Sequence, residues 1–134
     1  MTLVDTNVLR DVLAGDPQWF AWSAEHLRQR QAAGRLLIND ITYAELSVRI
    51  ADEVALTAAL AELNVSLERM PTSALFLAGK VYGRYRDVGG PRTSLLPDFF
   101  IGAHAQTARL PILTRDVRRY RTYFPEVELI APDA

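Results

Sequence analysis

Cysteine is absent from this 134-residue chain, which removes disulfides, thiolate catalysis and cysteine-rich zinc sites together. Histidine is nearly absent: His26 and His104 stand far apart and offer no zinc-binding spacing. His104, on an apolar helix, reads as a hydrogen-bonded core residue, and His26, on a polar one, as exposed. No apolar run approaches the roughly 18 residues of a membrane span, and the N-terminus lacks a signal-peptide pattern. A cytoplasmic protein with no membrane partner is therefore expected. Gly89-Gly90-Pro91 lacks the phosphate-loop pattern and its following Lys-Ser/Thr. A Gly-x-Ser-x-Gly nucleophile elbow is missing as well. Lysine is scarce: of 15 basic residues only Lys80 is lysine, and 14 are arginine. The net charge of −1 argues against a surface that coats polyanions wholesale, but leaves room for a local site. Arginine suits bidentate phosphate recognition. Arg84, Arg86 and Arg92 form one group, and Arg115, Arg118, Arg119 and Arg121 another.

What is abundant is apolar residues, at 49%, enough for one domain spanning 1–134. Strands are expected at Thr2–Asp5, Leu36–Asn39, Ser66–Met70, Ile112–Thr114 and Val127–Ile130, the last at an edge. Between them the pattern predicts helices: one to Ala14, stopped by Gly15, and one from the Asp16-Pro17 cap to Gly34. Further helices are expected after Asp40 or Thr42, from Asp52, over Pro71–Arg86, from Pro97, and over Arg115–Tyr120. The stretch from Asp87 to Ser94 reads as loop. Short apolar strands alternating with helices imply an α/β fold with a mainly parallel sheet covered on both faces. Ligands in such folds bind beyond the carboxyl ends of the strands, where Asp5 and Asp116 fall.

Four acids punctuate the apolar segments: Asp5, Glu45, Asp98 and Asp116. Each has a local explanation. Asp5 and Asp116 can cap helices, Asp98 complements a helix dipole, and Thr42-Tyr-Ala-Glu45 fits a capping box. Caps do not need an apolar setting, however. Glu45 lies on a helical face with Ile41, Ala44 and Val48, and Asp98 on one with Ile101, Gly102 and Ala105, whose small side chains permit close approach to the sheet. Four acids directed at one strand-end crevice repel one another unless a cation joins them, and oxygen donors select Mg²⁺ or Mn²⁺. Metal-assisted phosphodiester chemistry is the leading expectation. Trp19, Phe20 and Trp22 cannot all face inward from one helix, so part of this group is expected to line a partner groove.

Leu3-Val-Asp-Thr-Asn-Val-Leu9, Thr42-Tyr-Ala-Glu-Leu46, Pro97-Asp-Phe-Phe-Ile-Gly-Ala-His-Ala105 and Leu113-Thr-Arg-Asp-Val-Arg-Arg-Tyr120 together resemble the motifs of PIN-domain ribonucleases, and most closely those of VapC toxins. The likeness spans nearly the whole chain, in order and spacing. It implies a three-layer α/β/α fold in which Asp5, Glu45, Asp98 and Asp116 form an acidic quartet. Asp5, Asp98 and Asp116 are then the direct or water-mediated metal contacts, and Glu45 holds metal water or orients the attacking water. Thr6, Asn7 and Thr114 orient the carboxylates. The resemblance further implies an RNA substrate, a cognate antitoxin that enters a groove walled in part by Trp19, Phe20 and Trp22, and a homodimer. Arg92, Arg115 and Arg118 are expected to hold flanking RNA phosphates. Two rivals remain open. An Asp-nucleophile phosphatase would use Asp5, but has Asn7 where a second acid is usual and Lys80 in mid-helix. A non-catalytic PIN-fold binding module would leave four repelling acids without a role.

Overall fold

Thr2–Val4 (β1) is buried at every residue, and the sheet grows outward from it. The computed structural model describes residues 1–91 and 96–132. After β1 come α1 (Thr6–Ala14), α2 (Phe20–Ala33), β2 (Leu36–Ile38), α3 (Asp40–Ser47), α4 (Glu53–Glu62), β3 (Val65–Leu67), α5 (Thr72–Asp87), α6 (Pro97–Ala108), β4 (Ile112–Leu113), α7 (Arg118–Tyr123) and β5 (Leu129–Ile130). The order of strands and helices is the one the sequence predicts. All pairings are parallel, and the strands lie in the order β3-β2-β1-β4-β5. Successive strands step one way from β1 to β3. The chain then crosses back to place β4 on the other side of β1. The direction reverses between β1 and β4, and a crevice opens at the carboxyl ends of strands there.

Side chains alternate across the strands and divide the core in two. Leu3, Leu37 and Ile112 face a cluster containing Val81 of α5, Phe99 and Ile101 of α6 and Tyr120 of α7. Val4, Leu36, Ile38 and Leu113 face Val8, Leu9, Leu27, Leu46, Leu56 and Leu60 from α1 to α4. Helices thus cover both faces, giving the expected three-layer α/β/α architecture. Among the described residues no helix is long and apolar enough to cross a membrane.

Local chemistry sets the helix ends, and several differ from expectation. Gly15 ends α1 as predicted, in the left-handed region at φ 66°, where a side chain costs energy. Asp16 does not open α2 directly. Its Oδ1 accepts the N–H groups of Gln18 and Trp19, each at 2.9 Å, in a turn preceding the helix. The cap of α3 is Asn39, whose Oδ1 accepts from Ile41 N at 3.0 Å and Thr42 N at 3.1 Å. Thr42 therefore lies inside the helix, and the Thr42–Glu45 capping box does not form. The helix expected from Arg115 begins at Arg118, so Asp116 sits in a bend before it. Gly102 meets its expected close neighbour on α7's side rather than in the sheet: a Cβ there would lie 2.3 Å from the Phe124 ring.

Candidate active site

Asp5 immediately follows β1 and is only 5% exposed. Its Oδ1 accepts the Thr6 N–H at 2.7 Å. Oδ2 accepts from Thr114 Oγ1 at 2.8 Å, Tyr120 Oη at 2.9 Å and Asn7 Nδ2 at 3.4 Å. Every one of these donors is neutral. Burial raises the Asp5 carboxyl to about 6, the Asp98 charge adds to the rise, and the bonds from Thr114, Tyr120 and Thr6 oppose it. Burial, and next the charge of Asp5, hold the Tyr120 phenol well above its ordinary range, so it remains a donor.

The other three acids gather around this carboxylate. Asp98 stands in the first turn of α6. Burial raises its carboxyl above the usual range, Asp116 and Glu45 push the same way, and Arg119 opposes them. Arg119 Nη1 donates to Asp98 Oδ2 at 3.5 Å and lies over the Tyr85 ring. Glu45, from α3, accepts the Thr6 hydroxyl on Oε1 at 2.6 Å. Its expected apolar face is not packed: Ala44 is exposed and Val48 is 77% exposed, whereas Thr42 and Leu46 are buried. Glu45 is half-buried at the crevice edge. Asp116 follows β4, and the Arg118 guanidinium reaches both its oxygens at 3.3 Å, holding its carboxyl below the usual range.

Thr6, Asn7 and Thr114 all join this network. Thr114 Oγ1 also accepts from Asn7 Nδ2 at 3.3 Å and Asp116 N at 3.1 Å. The donors fit a hard divalent ion in kind: carboxylate oxygens, with Asp5 and Asp98 raised by burial and like charge. In spacing they are not closed on one point. Among the described residues no three acids or histidines stand in a metal-holding arrangement, and Asp98 and Asp116 hold arginines instead. A recess of 670 Å³ lined by Tyr43, Thr57 and Leu60 includes none of the four acids.

Arg115, expected beside RNA, is engaged within the protein: its guanidinium grips Asp11, with Nε to Oδ2 at 2.8 Å and Nη2 to Oδ1 at 2.9 Å. Arg118 is exposed but engaged with Asp116, and Arg92 lies outside the described residues. Of the aromatic group, Phe20 is the outward member at 45% exposure. Trp22 packs on the α1–α4 core and stacks on His26 at 4.1 Å, so His26 is half-buried rather than exposed. His104 is a core residue as expected, 1% exposed, with Nδ1 3.3 Å from Asn39 Nδ2. Sequence reasoning missed Tyr120, Arg119 and Asp11 as partners of the site. Asp11 was detectable: it lies three residues after Val8, on the buried stripe of α1, where a charge needs a partner.

An acidic crevice at the switch point of a parallel sheet defines the class: α/β proteins with a strand-end carboxylate site. Residues 2–125 match the PIN domain, and the chain belongs to the PIN domain family. No curated protein sequence matches it. Among solved structures it is similar to a chain of VapBC2 from Rickettsia felis bound to a promoter DNA fragment, with 16% identity, 98% of each chain covered and a TM-score of 0.71. A chain of VapBC-1 from nontypeable Haemophilus influenzae shares 19% identity over 97% of this chain and 96% of that one, also at 0.71. A chain of DNA-bound VapBC from Salmonella typhimurium shares 21% identity over 98% of each, at 0.69. At these identities the likeness establishes the fold.

Proposed function

We propose that this protein is a metal-dependent endoribonuclease and the toxin of a toxin–antitoxin pair. The carrying observation is that Asp5 and Asp98 are raised by burial and like charge, with Asp98 acting on Asp5, and Asp116 and Glu45 on Asp98, at the strand ends. Membership of the PIN family and the likeness to VapBC chains support the reading. Asp5, Asp98 and Asp116 would hold Mg²⁺ or Mn²⁺. Such an ion supplies Lewis acidity, making water more acidic and offsetting charge that builds on a phosphodiester.

The chain's own groups do the rest. Thr114, Tyr120 and Asn7 fix Asp5 through Oδ2. Thr6 fixes Glu45 through Oε1, leaving Oε2 to orient and deprotonate the attacking water. Arg118, the most exposed of the arginines around the acids at 88%, is the candidate for a flanking phosphate. An antitoxin would cover the crevice and the exposed Phe20 face, and a homodimer is part of the same proposal. The phosphatase rival loses ground, because Lys80 lies over Phe76 on α5. A binding module draws on one observation, the arginines already paired with Asp98 and Asp116.

Purified protein incubated with total RNA and Mn²⁺, beside EDTA and Asp98→Asn controls, tests the proposal. Discrete products lost in both controls are expected. No cleavage, together with equal thermal indifference of both proteins to Mn²⁺, would favour the binding module.

A further inference from the structure

Asp11 is a carboxylate outside the quartet, 1% exposed, and fully engaged. Besides the Arg115 fork, its Oδ2 accepts the Ser23 hydroxyl at 2.7 Å. The Arg115 guanidinium lies over the Trp19 ring at 5.3 Å from its centroid. One side chain from the β4–α7 bend thereby reaches α1 and the turn before α2, and Asp11 ties the pair to α2 through Ser23. The backbone of the same residue faces the crevice: Arg115 N donates to Asn7 Oδ1 at 3.3 Å, and Asn7 in turn contacts Asp5 and Thr114. Asp116 is the next residue along the chain.

From this arrangement we infer that Arg115 is a positioning residue, clamped by Asp11 and Trp19 with Ser23 steadying Asp11, which sets the place of Asp116 and Asn7 rather than binding substrate. A planar fork gripping a buried carboxylate fixes orientation as well as distance. A bend anchored this way presents Asp116 to the crevice at a defined place, as supporting groups do for metal-binding carboxylates. The inference rests on the metal-site reading of the acids.

Charge and position predict different outcomes, which makes the inference testable by Mn²⁺ calorimetry. If Arg115 acted only as a nearby cation, Arg115→Gln would tighten Mn²⁺ binding by removing repulsion, and Arg115→Lys would leave it unchanged. A clamp predicts that both variants weaken binding, by about tenfold, the scale of loss when a supporting partner is removed. Ser23→Ala, which keeps every charge and is the mildest change, should weaken it by a smaller factor in the same direction. Unchanged affinity in Arg115→Lys and Ser23→Ala, with wild type binding Mn²⁺ in an Asp98-dependent way, overturns the clamp alone. Absence of Mn²⁺ binding in wild type overturns the metal-site reading and the clamp with it. Should Arg115→Gln fail to fold, Arg115→Lys and Ser23→Ala still decide.

Discussion

Asp5 and Asp11 bracket the same short stretch of chain, and both are almost excluded from solvent, at 5% and 1%. Asp11 meets a guanidinium fork and a serine hydroxyl. Among the described residues Asp5 meets only neutral donors and faces another acid. The first arrangement neutralises a buried charge within the protein. The second fixes a carboxylate in place but leaves its charge uncompensated, which invites a cation from outside. Burial alone therefore does not mark a site. The partner's charge does.

The sharpest way to break this contrast is to remove one partner of the compensated pair. Arg115→Ala strands the Asp11 charge in the core and should cost roughly 3–5 kcal/mol of stability, read by urea denaturation. A loss under about 1 kcal/mol would show the pair behaving like a surface salt bridge.

The uncompensated acid predicts an opposite dependence. Folded Asp5 holds its proton to about pH 6, against an ordinary value of 3.8. Between those values the folded state binds more protons than the unfolded, so this group's stability contribution is lost as pH rises through the window. Asp5→Asn escapes that loss. Without divalent ions, it should gain on wild type by up to about 3 kcal/mol from pH 4 to 6, at 1.36 kcal/mol per pKa unit. Stability profiles that stay parallel across that range would contradict a raised Asp5.

The smallest effect concerns the arginine now facing Asp98. Arg119→Gln removes a partly exposed counter-cation worth about 0.2–1 kcal/mol. It should tighten Mn²⁺ binding by up to about fivefold, measured by calorimetry. Weaker binding in this variant would mean that Arg119 supports the crevice instead of competing for it.

Much of this was legible in the sequence. The alternation of short apolar runs with helical patterns gave the full element order, and Gly15 marked its helix end because only a left-handed residue fits there. The four candidate acids stand out in the sequence, since a carboxylate beside apolar residues is conspicuous in one dimension. The face of α3 was misread. Eight residues give about two turns, too few for periodicity to separate Ile41, Ala44 and Val48 from the buried Thr42 and Leu46. The start of α7 was also misjudged, because Thr114, Arg115 and Asp116 make side-chain bonds that hold the bend out of helix. The partnership of Arg115 was hidden for a different reason. Its acid lies 104 residues earlier, and only the parallel neighbours β1 and β4 bring α1 to the bend.

The Asn39 amide carries one further consequence. With Oδ1 occupied by two backbone N–H groups, its Nδ2 can only donate, so His104 Nδ1 must accept. His104 is thereby fixed as the neutral Nε2–H tautomer, with burial lowering its proton affinity. Imidazole ¹⁵N shifts distinguish the two ring nitrogens, so this buried ring is a native spectroscopic probe of the first turn of α3. Any ligand that shifts the helix bearing Glu45 will be visible there, in a residue sealed from solvent.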